Sequence, residues 1–142
     1  MKIRTFCNED VLEICNLINS ELGYDVSYED LKNRILQMQE NESYVIFTAV
    51  DDEKISGFIG LQIGLAFEIS GKVMRIIALA VAKDSQGQGI GRALIHQAEK
   101  YAKENNISTI SVNSGLQRAG AHQFYEKQSF YKKGYSFCKQ IK

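Results

Sequence analysis

The stretch Gln86-Gly87-Gln88-Gly89-Ile90-Gly91 constrains this chain more than any other part of it. It follows the apolar run Ile76-Ile77-Ala78-Leu79-Ala80-Val81, which reads as a buried strand, and leads into Arg92-Ala93-Leu94-Ile95, which reads as the first turn of a helix. A strand, a glycine-dense turn and a helix start make an anion cradle. Glycine lets backbone N–H groups point outward, and the first helical turn adds unpaired donors and a partial positive charge. A phosphate-bearing ligand is expected here; the plain alternative is an ordinary tight strand-to-helix connection. The ending Gly91-Arg92-Ala93 lacks the Gly-Lys-Ser/Thr of an NTP-binding loop. Glycines at 87, 89 and 91 miss the dinucleotide spacing, and Ile107 to Ser114, the next strand, carries no acidic residue for a ribose.

A chain of 142 residues fits one domain, 1–142, with one core. Its 17 basic and 17 acidic residues balance, so nothing argues for nucleic acid or an anionic membrane as partner. No apolar run approaches the ~20 residues of a membrane span, and Met1-Lys2-Ile3-Arg4-Thr5 is not a signal peptide. Cys7, Cys15 and Cys138 have no metal-ligand spacing, and only two histidines are present, so reduced thiols in a cytoplasm are expected, without metal.

Lys2 to Thr5 is a first strand. Asn8 caps a helix with Glu9 and Asp10 in its first turn and Val11, Ile14, Cys15, Ile18 and Leu22 as its apolar stripe, closed by Gly23. Ser27 with Asp30 resembles a capping box for a second helix facing inward through Leu31, Ile35 and Met38. Strands follow at Tyr44 to Val50 and Lys54 to Phe67, the latter with glycines at 57, 60 and 64 that suggest bulges. Ser70-Gly71 turns into the strand ending at Val81. The helix after the glycine loop buries Ile90, Leu94, Ala98, Tyr101 and Ala102. Ala119 to Lys127 is a short helix, and Tyr131 to Ile141 supplies one or two last strands. The order predicts an α/β (α+β) fold: a mixed, mostly antiparallel central sheet with helices on both faces, and a parallel, right-handed crossover between the 76–81 and 107–114 strands.

Two stretches then carry a resemblance. Leu79-Ala80-Val81 followed by Gln86 to Leu94 is similar to the acetyl-CoA motif of the GNAT-superfamily N-acetyltransferases, a strand followed by Gln/Arg-x-x-Gly-x-Gly/Ala. Ala121-His122-Gln123-Phe124-Tyr125-Glu126-Lys127, then Phe130, is similar to that family's late helix motif. Glu21-Leu22-Gly23-Tyr24 and the run from Ser114 to Tyr125 look like the aminoglycoside and aminoalkylphosphonate acetyltransferases within it. The chain departs from many relatives at Lys83 (often proline), Gln86 (often arginine), Arg118 (often asparagine) and Ser129 (often glycine). Arg75 and Ala78 stand where some relatives place a carboxylate for the amine.

The resemblance implies a GNAT-like fold with acetyl-CoA as acyl donor and no metal. The strand through Leu79 would splay from the strand through Asn113, and the pantetheine arm would pair with the backbone of Leu79, Ala80 and Val81. A backbone N–H near Leu79 would polarise the thioester carbonyl. Gln86, Gly87, Gln88, Gly89, Ile90, Gly91 and Arg92 would hold the pyrophosphate, with Asn113, Arg118, Ala121, Phe124 and Tyr125 completing the coenzyme site. Tyr125 is carried over as general acid toward the departing sulfur, since its reference pKa of about 10 lies near that of a thiol; the alternative is a core aromatic. Glu68, near the end of the long strand, is the candidate base, against a solvated charge. Tyr24 and Tyr28 fall where the family forms its acceptor wall, against half-buried packing. Cys138 reads as an inert core thiol, His122 and His96 as satisfied or solvated, and Lys127 as a solvated charge.

The leading function is thus transfer of an acetyl group to a small primary amine by direct attack in a ternary complex. A protein N-terminal or lysine acetyltransferase is the rival within the class. An acyl-CoA-binding sensor without catalysis is the rival outside it. A homodimer is compatible with all three.

Overall fold

The apolar runs of the sequence meet in one five-stranded sheet in a computed structural model, which describes residues 1–115 and 118–141. Strands β1 (Lys2–Thr5), β2 (Tyr44–Asp51), β3 (Lys54–Gly64), β4 (Lys72–Val81) and β5 (Ile107–Val112) lie side by side in that order. Neighbours from β1 to β4 are antiparallel, and β4 and β5 run parallel. Helices α1 (Val11–Leu22) and α2 (Tyr28–Gln39) precede β2; α3 (Ile90–Glu104) connects β4 to β5; α4 (Ala119–Lys127) follows β5. The expected mixed sheet and the parallel pair joined through a helix are both present.

Each face of the sheet buries its own cluster. Val11, Ile14 and Leu17 of α1 and Leu31 and Ile35 of α2 pack on Ile55, Phe58 and Ala80. On the other face Ile90, Leu94, Ile95, Ala98 and Ala102 of α3 pack on Phe47, Ile59, Leu61, Met74 and Ile76. Apolar residues three and four apart on the helices, and alternating along β3, make these two faces possible. The ends of the helices follow local chemistry. Ser27 Oγ accepts from the Asp30 N–H at 3.1 Å, and Gly23 closes α1 in the left-handed region at φ 77°.

The expected cap at Asn8 is replaced by a tighter arrangement. Asn8–Asp10 is a short helical turn, and Asp10 is buried instead of serving as an exposed first-turn acid. Its carboxylate accepts from Arg4 Nη1 and Nη2 at 2.8 and 2.9 Å and from the Cys7 N–H at 2.9 Å. Burial alone would raise the Asp10 pKa, but the Arg4 and Cys7 hydrogen bonds outweigh it and hold the carboxyl below its ordinary value. The pair ties β1 to the start of α1.

Three strand expectations are corrected. The long strand ends at Gly64 and does not reach Phe67. The strand expected over 107–114 stops at Val112. Residues 131–141 form no strand; they are exposed along their whole length, and Cys138 is an exposed thiol and not a core one. A strand persists only where a neighbour pairs its N–H and C=O groups, and this segment pairs with no strand among the described residues. Helix α3 also starts at Ile90, two residues before the expected Arg92, because Gly89 at φ 84° turns the chain directly into it.

Replacing Arg4 with Met is expected to lower stability in urea by about 2 kcal/mol, because it leaves a buried carboxylate short of donors. Asp10, with its folded-state pKa depressed, contributes stability that is full above the unfolded value of about 3.9 and is lost as pH falls through the folded value. The deficit of R4M should therefore be largest near neutrality and shrink in acid. An equal deficit at both pH values would remove the ion pair as its cause.

Candidate active site

The site is built where β4 and β5 part. Their ladder runs from Lys72↔Ile107 to Ile76↔Val112 and stops there. On its other side β4 stays paired with β3 as far as Val81↔Gly57. Ile77 to Val81 thus has a sheet neighbour on one edge only, among the described residues. The β3–β4 register shifts between Gly60↔Ala78 and Leu61↔Ile76, which leaves Ile77 as an extra residue in β4. Such a bulge bends its strand and sharpens its twist, and here it falls at the residue where β5 is lost.

The open edge leads through the turn Lys83–Ser85 into the glycine loop. Gly87 and Gly89 hold φ 80° and 84°, a region that side-chain-bearing residues adopt only with strain. Nothing lies within 4 Å of where a Cβ would stand at either one, so the loop faces open space. The start of α3 has no side-chain cap and no acidic residue in its first turn. The first α3 carbonyl bond formed is Ala93 N–H to Gly89 O, at 3.0 Å, which leaves the earlier N–H groups of the turn without an intrahelical partner. This is the chemistry of an anion seat. Gly91 serves packing instead. A Cβ there would stand 3.1 Å from Phe124 Cζ, so its absence lets α4 lie against the start of α3.

Tyr125 follows Phe124 on α4. Its ring meets Phe124 edge-on at 5.3 Å and Phe130 edge-on at 5.5 Å, and all three pack on the cluster under α3. The ring of Tyr125 is thus part of the core packing between α4 and α3. Burial raises its pKa above the ordinary tyrosine value, against a smaller lowering by the charge of Arg118. The hydroxyl keeps its proton across the neutral range. Arg118 stands at the N-cap position of α4, and His122 Nε2 donates to Gly115 O at 2.7 Å, which spends that ring nitrogen on the connection into the helix.

The other expected residues divide. Leu79 and Val81 are partly buried toward the α3 face, and Ala80 is buried toward α1 and α2. Arg92 is exposed in the first turn of α3, and Ala121 lies on the first turn of α4. Asn113 is exposed just past the end of β5. Glu68 does not lie in a strand: it is exposed in a bend four residues past β3. Tyr24 and Tyr28 are exposed between α1 and the start of α2, and Lys32 Nζ lies 5.9 Å from the Tyr28 ring centroid. His96 is exposed.

Gln86 is the informative departure. Its Nε2 donates to Glu21 Oε1 at 2.9 Å and to Val81 O at 3.0 Å, so both amide protons are engaged within the chain. It braces the glycine loop against the end of α1 instead of presenting a donor to the cradle. The contact joins residues 65 apart in sequence, and no local spacing signals it. Ser114 likewise carries no signal in the sequence. Its Oγ is buried without a hydrogen-bond partner among the described residues, two residues past the end of β5. No cluster of three His, Cys, Asp or Glu suited to a metal occurs among the described residues.

Comparison with known proteins agrees with this geometry. Residues 10–130 match the Acetyltransferase (GNAT) family. The chain is similar to the uncharacterized N-acetyltransferase YhdJ of Bacillus subtilis, 28% identical over 125 residues that cover 87% of each protein. It is also similar to the aminoalkylphosphonate N-acetyltransferase of Salmonella typhimurium, 24% identical over 90% of this chain and 80% of that one. Among solved structures, a GNAT family acetyltransferase of Staphylococcus aureus superposes with a TM-score of 0.81 at 26% identity, covering 99% of this chain and 98% of that one.

Inorganic pyrophosphate should raise the melting temperature of the wild-type chain. Gly89→Ala should cost about 1 kcal/mol of stability through its left-handed backbone and abolish most of that rise, because it disturbs the backbone that aims the loop's N–H groups. Equal shifts in both proteins, followed by differential scanning fluorimetry, would place the anion elsewhere.

Proposed function

The chain belongs to the acetyltransferase (GNAT) family, and from that premise we propose that it transfers an acetyl group from acetyl-CoA to the primary amine of a small molecule. The observation that carries this reading is the unpaired edge of Ile77 to Val81 running into an uncapped, glycine-lined helix start. A pantetheine arm has amides that can pair with a free strand edge, and a pyrophosphate has the charge that an uncapped helix favours. Acetyl-CoA supplies the activated acyl group as a thioester. The open space at Gly87 and Gly89 fits a ligand of this kind, as does the Ser114 hydroxyl, which has no partner among the described residues.

The chain's own groups then have distinct roles. Backbone N–H groups from Gly87 to Arg92 hold the pyrophosphate. The free edge at Leu79 to Val81 aligns the thioester, and a main-chain N–H near Leu79 draws on its carbonyl oxygen as charge develops there. The amine attacks that carbonyl directly, the carbon–sulfur bond breaks, and Tyr125 gives its proton to the departing sulfur. A hydroxyl that stays protonated through neutral pH suits this role. Glu68 lies exposed beyond β3, which favours release of the amine's proton to solvent over a tuned carboxylate base.

The acceptor class rests on the similarity to the aminoalkylphosphonate N-acetyltransferase, whose name specifies a small amine. Tyr24 and Tyr28 are exposed, which leaves them open to contact such an acceptor. A panel of small amines and of peptides, assayed for release of free CoA, separates the readings. Turnover on peptides alone would overturn the small-molecule acceptor, and tight acetyl-CoA binding without turnover on any amine would favour a sensor.

Tyr125→Phe should lower kcat by about tenfold or more, the usual scale for a lost general acid, with acetyl-CoA affinity by calorimetry nearly unchanged. Because Tyr125 titrates above its ordinary value, the wild-type rate should climb with pH toward the amine's pKa, without a Tyr125-dependent fall below about pH 10. Unchanged turnover in Y125F would leave Tyr125 a packing residue.

A further inference from the structure

Gly87 and Gly89 shape the loop but do not anchor it. No atom lies within 4 Å of where a Cβ would stand on either, and both hold a left-handed backbone that glycine can leave as readily as it enters. An anion seat is tightest when its N–H groups already point at one place, because a loop that must first be ordered gives up part of its affinity. A group outside the loop has to fix it.

Most hydrogen bonds of the loop are local. Ser85 N–H donates to Ala82 O at 2.8 Å, Gln86 N–H to Lys83 O at 3.4 Å, and Gln88 Nε2 to Asp84 O at 3.5 Å. Among the described residues only the Gln86 side chain reaches another layer of the fold, through its bond to Glu21 Oε1 on the last turn of α1. Glu21 is itself held. Its Oε2 accepts from Ser20 Oγ at 3.1 Å, so both carboxylate oxygens have a donor. The same turn is tied to the α1–α2 connection by Asn19, whose Oδ1 accepts from the Val26 N–H at 2.8 Å and whose Nδ2 donates to Val26 O at 2.9 Å. Ile14 and Leu17 seat α1 on the sheet.

We propose that Glu21 is a positioning residue for the acyl donor: by holding the Gln86 amide it fixes the backbone from Gly87 to Gly91 in the conformation that receives the pyrophosphate. This rests on the reading of that loop as the coenzyme seat. Glu21 works against its own charge. A carboxylate beside an anion seat repels the anion, so by electrostatics alone its removal should tighten donor binding. As a positioning group, its removal should loosen it. A third role, as a wall for a cationic amine, would change amine affinity and leave that of the donor alone. The bond to Gln86 is charge-assisted but open to solvent, which limits its worth.

Calorimetry of acetyl-CoA with the full chain separates these roles. Glu21→Ala should weaken binding about fivefold to tenfold, the scale of leaving one residue to be ordered on binding. The KM for acetyl-CoA should rise by a similar factor, with kcat and the KM for the amine within about twofold of wild type. Glu21→Gln keeps an oxygen that accepts from Gln86, and should restore donor affinity to within about twofold of wild type or better. Gln86→Leu removes the other half of the bond and should weaken binding at least as much as Glu21→Ala, while the double variant should be no weaker than Gln86→Leu. A fold defect in one variant leaves the other as readout. In the unliganded protein, amide order parameters of Gly87 and Gly89 by nuclear magnetic resonance should fall in Glu21→Ala and not in Glu21→Gln. Donor affinity unchanged or tighter in Glu21→Ala would overturn the proposal. So would Glu21→Gln as weak as Glu21→Ala, an amine KM that moves in place of the donor's, or order parameters that stay the same. A wild-type chain that binds no acetyl-CoA would overturn the coenzyme reading itself, and the order parameters would still decide whether Glu21 holds the loop.

Discussion

The site depends on the failure of β4 and β5 to stay together. A parallel pair joined through a helix ordinarily remains hydrogen-bonded along its length, and here it opens after Ile76↔Val112. The extra residue Ile77 bends β4 at that point while β3 holds its other edge through to Val81. Backbone groups that would otherwise be consumed by the sheet become available to a ligand, at a place fixed by the most rigid part of the molecule.

The surrounding packing keeps the opening in register with the glycine loop. Helix α3 is seated by Ile90, Leu94, Ile95 and Ala98 on the same sheet face that bears Leu79 and Val81. The bare Gly91 lets Phe124 close in, which brings α4 and Tyr125 to the start of α3. From the opposite face, α1 reaches the loop through Glu21, whose carboxylate accepts a hydrogen bond from the Gln86 amide. A loop braced from both layers has less freedom to lose when a ligand binds. The buried Asp10–Arg4 pair contributes at a distance, since it fixes where α1 begins relative to β1.

Much of this was legible in the sequence. The apolar periodicities of Val11 to Leu22 and Ile90 to Ala102, the alternation in β2 and β3, and the Gly23 and Ser27 boundaries rest on interactions within a few residues, so they can be read locally. The glycine loop was legible for the same reason, because its left-handed backbone is a property of Gly87 and Gly89 themselves. The resemblance to the GNAT family rested on that loop and on the Ala121–Phe130 stretch. Tyr131 to Ile141 has an equally clear strand pattern and yet forms no strand in a single chain, because pattern specifies a strand's faces but not whether an edge is within reach.

By itself, then, the sequence determined most element types up to Phe130, the two apolar faces, the glycine loop and the family resemblance. The tertiary structure decided which backbone groups remain free at the end of β4, that the Gln86 amide is spent on Glu21 and Val81, that Asp10 is buried against Arg4, and that Glu68 lies in solvent. Each of those is set by groups distant along the chain meeting in space. Such meetings depend on strand register and helix seating, which local composition does not encode.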